Sequence, residues 1–196
     1  MGPLVRAAVI TAGVAVVSVA AIGGGLWAAR DDPDRPHPGD VHTSAPDCGD
    51  LGGPLDEHLP GAVFDLDGRG PLSGGEGVVC RWTSAGTSDD ARQGALRVEF
   101  SALFTDPTDA EPVPGADRAR EAYEALTPGT AEAVALPTGE GQVWRGGSPG
   151  DTELAFFVDN LLVRVSYAAV DGTEPVGADE GRDTVVAFAE RIGEGL

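Results

Sequence analysis

Apolar positions along this chain fall into three patterns. The first is an unbroken run, Val9 to Ala29, with no charged side chain. As a helix it is about 31 Å long, which matches a hydrocarbon core of about 30 Å. The second is period-two alternation, clearest in 94–104 (GALRVEFSALF). There Leu96, Val98, Phe100, Ala102 and Phe104 share one face, and Arg97, Glu99 and Ser101 take the other, as in a half-buried strand. The runs 77–83 (GVVCRWT) and 141–145 (GQVWR) predict two further short strands. The third is helical spacing. In 114–126 Ala116, Ala119, Tyr123 and Leu126 recur on one side, and Thr127-Pro128-Gly129 stops the helix. In 179–192 Val185, Phe188, Ala189 and Ile192 follow the i, i+3, i+4, i+7 pattern, with Gly193 at the C-terminal cap.

Between these helices, 153–158 (ELAFFV) and 161–170 (LLVRVSYAAV) flank Asp159-Asn160. Both residues tolerate left-handed backbone angles, so a tight hairpin is expected. The near-continuous apolar character of its arms predicts central strands covered on both faces. Strands joined by hairpins, with two interspersed helices, predict an α+β domain: an antiparallel sheet with two packed helices. Residues 30–47, rich in proline and charge, read as a semi-extended linker. The expected organisation is a short cytoplasmic tail (1–8), a transmembrane signal-anchor helix (9–29), the linker (30–47) and an extracytoplasmic domain (48–196).

A cleaved signal peptide competes with the anchor. Trp27 spoils a small-x-small cut after Ala29, whereas Ala21-Ile22-Gly23 offers one. No cysteine ends the run, so a lipobox is missing. Arginines on both sides, Arg6 before and Arg30 and Arg35 after, leave orientation weakly specified by charge. The short N-terminal tail and the two cysteines in the long C-terminal part favour the domain outside, held to the cell membrane by a single pass.

Charge narrows the partners. The formal net charge is −19, and every basic residue is arginine. Such a chain repels phosphate backbones and anionic headgroups, so no nucleic-acid partner is expected and the membrane is met only through the N-terminal helix. Two lone cysteines in an exported domain pair, so a Cys48–Cys80 disulfide is expected.

The order of these features is itself informative: anchor, proline-rich linker, Cys48, the Cys80-Arg81-Trp82 strand, the AREAYEAL helix (119–126), the LLVRVSY hairpin arm (161–167) and a final helix. It resembles a group of actinobacterial cell-envelope lipoproteins and membrane proteins. It is also similar to the extracellular sensor domain of mycobacterial receptor Ser/Thr kinases. The chain departs from that pattern in lacking the lipobox cysteine, in having cysteines for one disulfide rather than two, and in lacking a kinase domain. The resemblance implies a sheet-and-helix envelope domain of binding or sensing type.

Candidate chemistry is sparse. Residues 65–76 match a twelve-residue calcium loop in spacing, with Asp65, Asp67, Ser73 and Glu76 as side-chain ligands and Gly70 at the sharp turn. Arg69 stands where an oxygen donor belongs, and the alternative reading is a glycine-rich acidic surface loop. His37 and His42 lie in the linker, and His58, in an expected first helical turn, reads as a solvated surface residue. No histidine is therefore positioned as a base for a serine nucleophile. Without lysine there is no Walker A loop. Trp144 and Arg145 beside Gly146-Gly147 read either as a groove lining or as rim packing. The expected function is non-enzymatic, with no cofactor beyond possible calcium: binding or sensing of an envelope ligand, or alternatively a structural or protein–protein interaction module.

Overall fold

The computed structural model describes residues 32–49, 51–85, 92–108 and 110–196. The apolar run 9–29 lies outside them. Among the described residues no helix is long and apolar enough to cross a membrane.

The domain is an α+β fold built on one antiparallel sheet. Its strands are β1 (Val63–Leu72), β2 (Gly75–Ser84), β3 (Gln93–Leu103), β4 (Glu132–Leu136), β5 (Gly139–Arg145), β6 (Asp151–Val158), β7 (Leu161–Asp171) and the short β8 (Glu174–Pro175). Spatial order is β1-β2-β3-β7-β6-β5-β4, with β8 paired to the end of β7. Among the described residues three helices accompany it: α1 (Gly52–His58), α2 (Gly115–Leu126) and α3 (Ala178–Gly193).

Alternation in the sequence becomes registered rows across the strands. Val78, Phe100, Val163 and Phe156 are cross-strand partners, as are Cys80, Val98, Val165, Leu154 and Val143. All of these face the core and are buried. Over the β4–β7 half the core is closed by α3, whose Val185, Phe188, Ala189 and Ile192 are buried as the helical spacing predicted. Over the β1–β3 half it is closed by the segment from Ala45 through α1.

Among the described residues the opposite face is covered only at one end, by α2, where Tyr123 packs on Phe157 with ring centroids 5.2 Å apart. Beyond α2 that face carries Arg97–Glu99 and Arg164–Glu153 ion pairs. The β6–β7 hairpin is central as expected, but its outer face is not apolar throughout, because Arg164 and Ser166 point there opposite Glu99 and Arg97. On α2, Ala119 is fully buried, whereas Ala116 is exposed rather than part of the packed stripe.

The segment expected to be a free linker is folded onto the sheet from about Asp34 onward. Asp34 accepts a hydrogen bond from the Gly74 amide (2.7 Å). The Asp40 carboxylate, 8% exposed, accepts from the His37 amide (2.7 Å) and from both the amide and hydroxyl of Thr105 (3.1 and 2.7 Å). The Asn160 side chain accepts from the His42 amide and donates to the His42 and Leu103 carbonyls. Proline and charge suggested solvation. Here the aspartates instead satisfy backbone donors that a sheet end leaves orphaned. The folded unit thus begins ahead of Cys48.

Arg118 on α2 locks the β1–β2 turn by donating to the Gly74 and Phe104 carbonyls (2.8 and 2.6 Å). Gly74 has φ +68°, and a Cβ there would collide with that guanidinium, so the turn needs glycine on both counts.

Asp40→Ala strands the Thr105 donors and removes charge-assisted bonds, an expected loss of about 1.5–3 kcal/mol in urea unfolding. Limited proteolysis between Pro36 and Val41 should accelerate in the same variant.

Candidate functional site

The expected disulfide is formed: Cys48 and Cys80 are bridged with Cα atoms 5.7 Å apart. It fastens the segment before α1 to the middle of β2. The calcium-loop residues are differently placed. Residues 65–76 form the β1–β2 hairpin, so Asp67 lies opposite Cys80 while Glu76 lies opposite Pro71 near the turn. Asp65 is ion-paired to Arg81 at 2.6 Å, Ser73 sits in the turn, and Glu76 is held by Arg69. Arg69, the residue that broke the loop pattern, occupies the carboxylate that would close it. It also binds Asp47 (2.6 Å) and the Ala45 carbonyl (3.0 Å). The four side chains do not converge, and the loop reading is corrected to a hairpin. Among the described residues no group of three or more His, Cys, Asp or Glu side chains is placed to hold a metal ion.

What the disulfide does create is a groove of about 280 Å³ on the core side of the sheet. Trp82, Val98 and Phe100 form its floor. One wall is the pinned segment (Pro46, Asp47, Gly49 and Leu51), and the other is the end of α3 with Ile192 and Leu196. Phe64 extends the floor toward β1, tilted on Trp82 at 5.3 Å and half exposed. Charge is confined to the rim, where Asp47 and Arg191 stand. The floor offers dispersion and aromatic contact to an apolar group.

Period-two alternation marks the β3 face as buried, but nothing in it signals Trp82 or Leu51 as groove residues. The groove draws on four separated stretches of chain. Trp144 and Arg145, singled out as a groove lining or rim, do not belong to it; they border a different cavity at the other end of α3.

His58 is corrected as well. It closes α1 rather than opening it, and it is half buried. Its Nδ1 lies 3.1 Å from the Thr184 hydroxyl and its ring is tilted over Phe188 at 6.1 Å. Its carbonyl accepts from the Tyr167 hydroxyl (2.9 Å) and from Arg92 (3.4 Å). Arg92 in turn grips Asp171 through two bonds of 2.8 Å and Glu180 at 2.6 Å, so one guanidinium joins α1, β7 and α3. Hydrogen bonds from Arg92 hold the Asp171 carboxyl below its usual range, and those same bonds raise the guanidinium further above its own. Burial pushes the Tyr167 hydroxyl up.

No protein-family model, no curated protein and no solved structure matches this chain.

Because the Asp171 pKa is depressed in the folded state, its contribution is complete above the unfolded value of about 3.9 and disappears as pH falls through the folded one. Thermal melts between pH 7 and pH 2 should show Asp171→Asn losing stability at neutral pH, by about 0.5–1 kcal/mol for so exposed a pair. The variant should converge on the parent protein at the acid end.

Proposed function

We propose that this is a non-enzymatic, single-pass membrane protein whose C-terminal domain lies outside the cytoplasm. There it binds or senses an apolar or amphipathic ligand of the cell envelope. The observation that carries the reading is the groove floored by Trp82, Val98 and Phe100, open to solvent and walled by a disulfide-fastened segment. The apolar run 9–29 supports the anchor, and the bridged cysteines support an oxidising compartment.

The docked arm supports a domain held near the bilayer. Only residues 30–33 separate Ala29 from Asp34, at most about 18 Å of extended chain. The domain therefore sits close to the bilayer, with its Ser73-Gly74 and Asp159-Asn160 turns nearest. Trp82 lies seven residues along β2 from Gly75, about 23 Å away. On this reading the groove takes a ligand arriving from the aqueous side, not a lipid still embedded below.

A second reading, an interaction module, has its own support in β1. Its outer edge pairs with no strand among the described residues, and Val63, Phe64, Leu66 and Leu72 on it are exposed. Such an edge is a template for another strand, although the bulge between Phe64 and Leu66 and the missing amide of Pro71 weaken it. Sedimentation of the full chain as a monomer up to high concentration would remove self-pairing from consideration.

Two experiments test the principal reading. A C-terminal reporter active only outside the cytoplasm should be active; a cytoplasmic result overturns the topology. The neutral apolar dye N-phenyl-1-naphthylamine should bind saturably and change Trp82 fluorescence. Gly49 lines the groove, and a Cβ there meets open space. Gly49→Trp should cut dye affinity at least tenfold with an unchanged melting midpoint, and unaltered affinity would exclude the groove as the site.

A further inference from the structure

A second cavity, of about 290 Å³, lies at the N-terminal end of α3, away from the Trp82 groove. Its base is set by strand register: Arg145 on β5 stands directly opposite Thr152 on β6. Among the described residues Arg145 is the one arginine with neither a carboxylate nor a carbonyl partner. In a chain of net charge −19 an unclaimed guanidinium is unexpected.

Thr152 is 5% exposed and lines the cavity, and its hydroxyl makes no hydrogen bond among the described residues. It is aimed at the first turn of α3, where a Cβ on Gly181 would collide with its oxygen. That turn begins at Gly177, which provides no side-chain cap, so its leading amides have no side-chain acceptor. An unpartnered hydroxyl and an unpaired guanidinium line one small volume beside the uncapped first turn of α3. They form a set of donors awaiting an oxyanion.

The remaining charges decide what carries that oxyanion. Glu132 and Asp179 also line the cavity, and Arg182 meets Glu132 only loosely, at 3.9 Å. Two arginines and two carboxylates make the lining neutral. A bare anion would face both carboxylates and the field of the whole domain, and a bare cation would face both arginines. A ligand with one charge of each sign meets neither penalty. Val143, on the same face as Arg145 and Thr152, supplies an apolar wall, and the volume lies at the small end of ligand sites.

We propose that this cavity binds a small zwitterion of the α-amino-acid type. Its carboxylate is held by Arg145, the Thr152 hydroxyl and the first amides of α3. Its ammonium is held by Glu132 and Asp179, and its side chain lies against Val143. The site is separate from the Trp82 groove, and its occupancy does not depend on that groove's ligand.

Calorimetric titration of the full chain in detergent micelles tests this, with glycine and L-alanine as probes and acetate and methylammonium as their separate halves, at constant ionic strength. Expected is saturable binding of a zwitterion, at least tenfold tighter than either half. Arg145→Gln, at an exposed position, should weaken it at least tenfold with an unchanged melting midpoint, and the near-isosteric Thr152→Val should weaken it as well. Arg191→Gln, at the rim of the other groove, should leave it unaltered. The proposal is overturned by absence of saturable heat with both amino acids, by acetate binding as tightly as they do, or by Arg145→Gln binding like the parent.

Discussion

One helix cannot cover the core face of this sheet, and much of the architecture follows from that shortfall. Seven strands spaced about 4.8 Å apart make a surface roughly 29 Å wide, whereas a helix with its side chains is only about 10 Å across. α3 lies on the β4–β7 half and buries Phe188 and its neighbours there. The apolar rows continue through Val98, Phe100, Val78 and Trp82, and these need a different cover. The chain supplies it with an irregular segment and the single short helix α1. Irregular chain has no hydrogen-bond ladder to hold it in place, so it is fastened at points: by Asp40 on Thr105, by Asn160 on His42, and covalently at Cys48–Cys80. The Trp82 groove is the seam where these two covers fail to meet.

Fastening also explains how so acidic a chain holds together. With no lysine, cross-links between elements fall to arginine, whose planar fork can serve several acceptors at once. Arg69 joins the arm to the β1–β2 hairpin, Arg92 joins α1 to β7 and α3, and Arg118 joins α2 to the β1–β2 turn. Each gathers acceptors from separate stretches of chain. Arg145 stands out against this background because it gathers none among the described residues.

Legibility in the sequence divided along the same line. β3, the β6–β7 hairpin and α3 were readable because periodicity alone states which face is buried. β1 was not: Val63 to Leu72 is glycine- and aspartate-rich, lies at an edge, and is exposed along most of its length. Its strand character comes from its partner β2 rather than from its own composition. Asp65, Asp67, Ser73 and Glu76 kept the spacing of a calcium loop, but strand pairing pulled them apart and Arg69 took Glu76. The arm looked like a linker because proline and aspartate signal solvation. Its destination is visible only once Thr105 and Gly74 present their unpaired amides.

By itself, then, the sequence determined the α+β class, the buried face of the principal strands, both long helices and the cysteine pairing. Each depends on local period or on the presence of only two candidates. Tertiary structure alone decided the path of the arm, the groove between it and α3, the setting of His58 and the cavity around Arg145. These depend on which distant backbone donors and charges meet, and no local spacing encodes that.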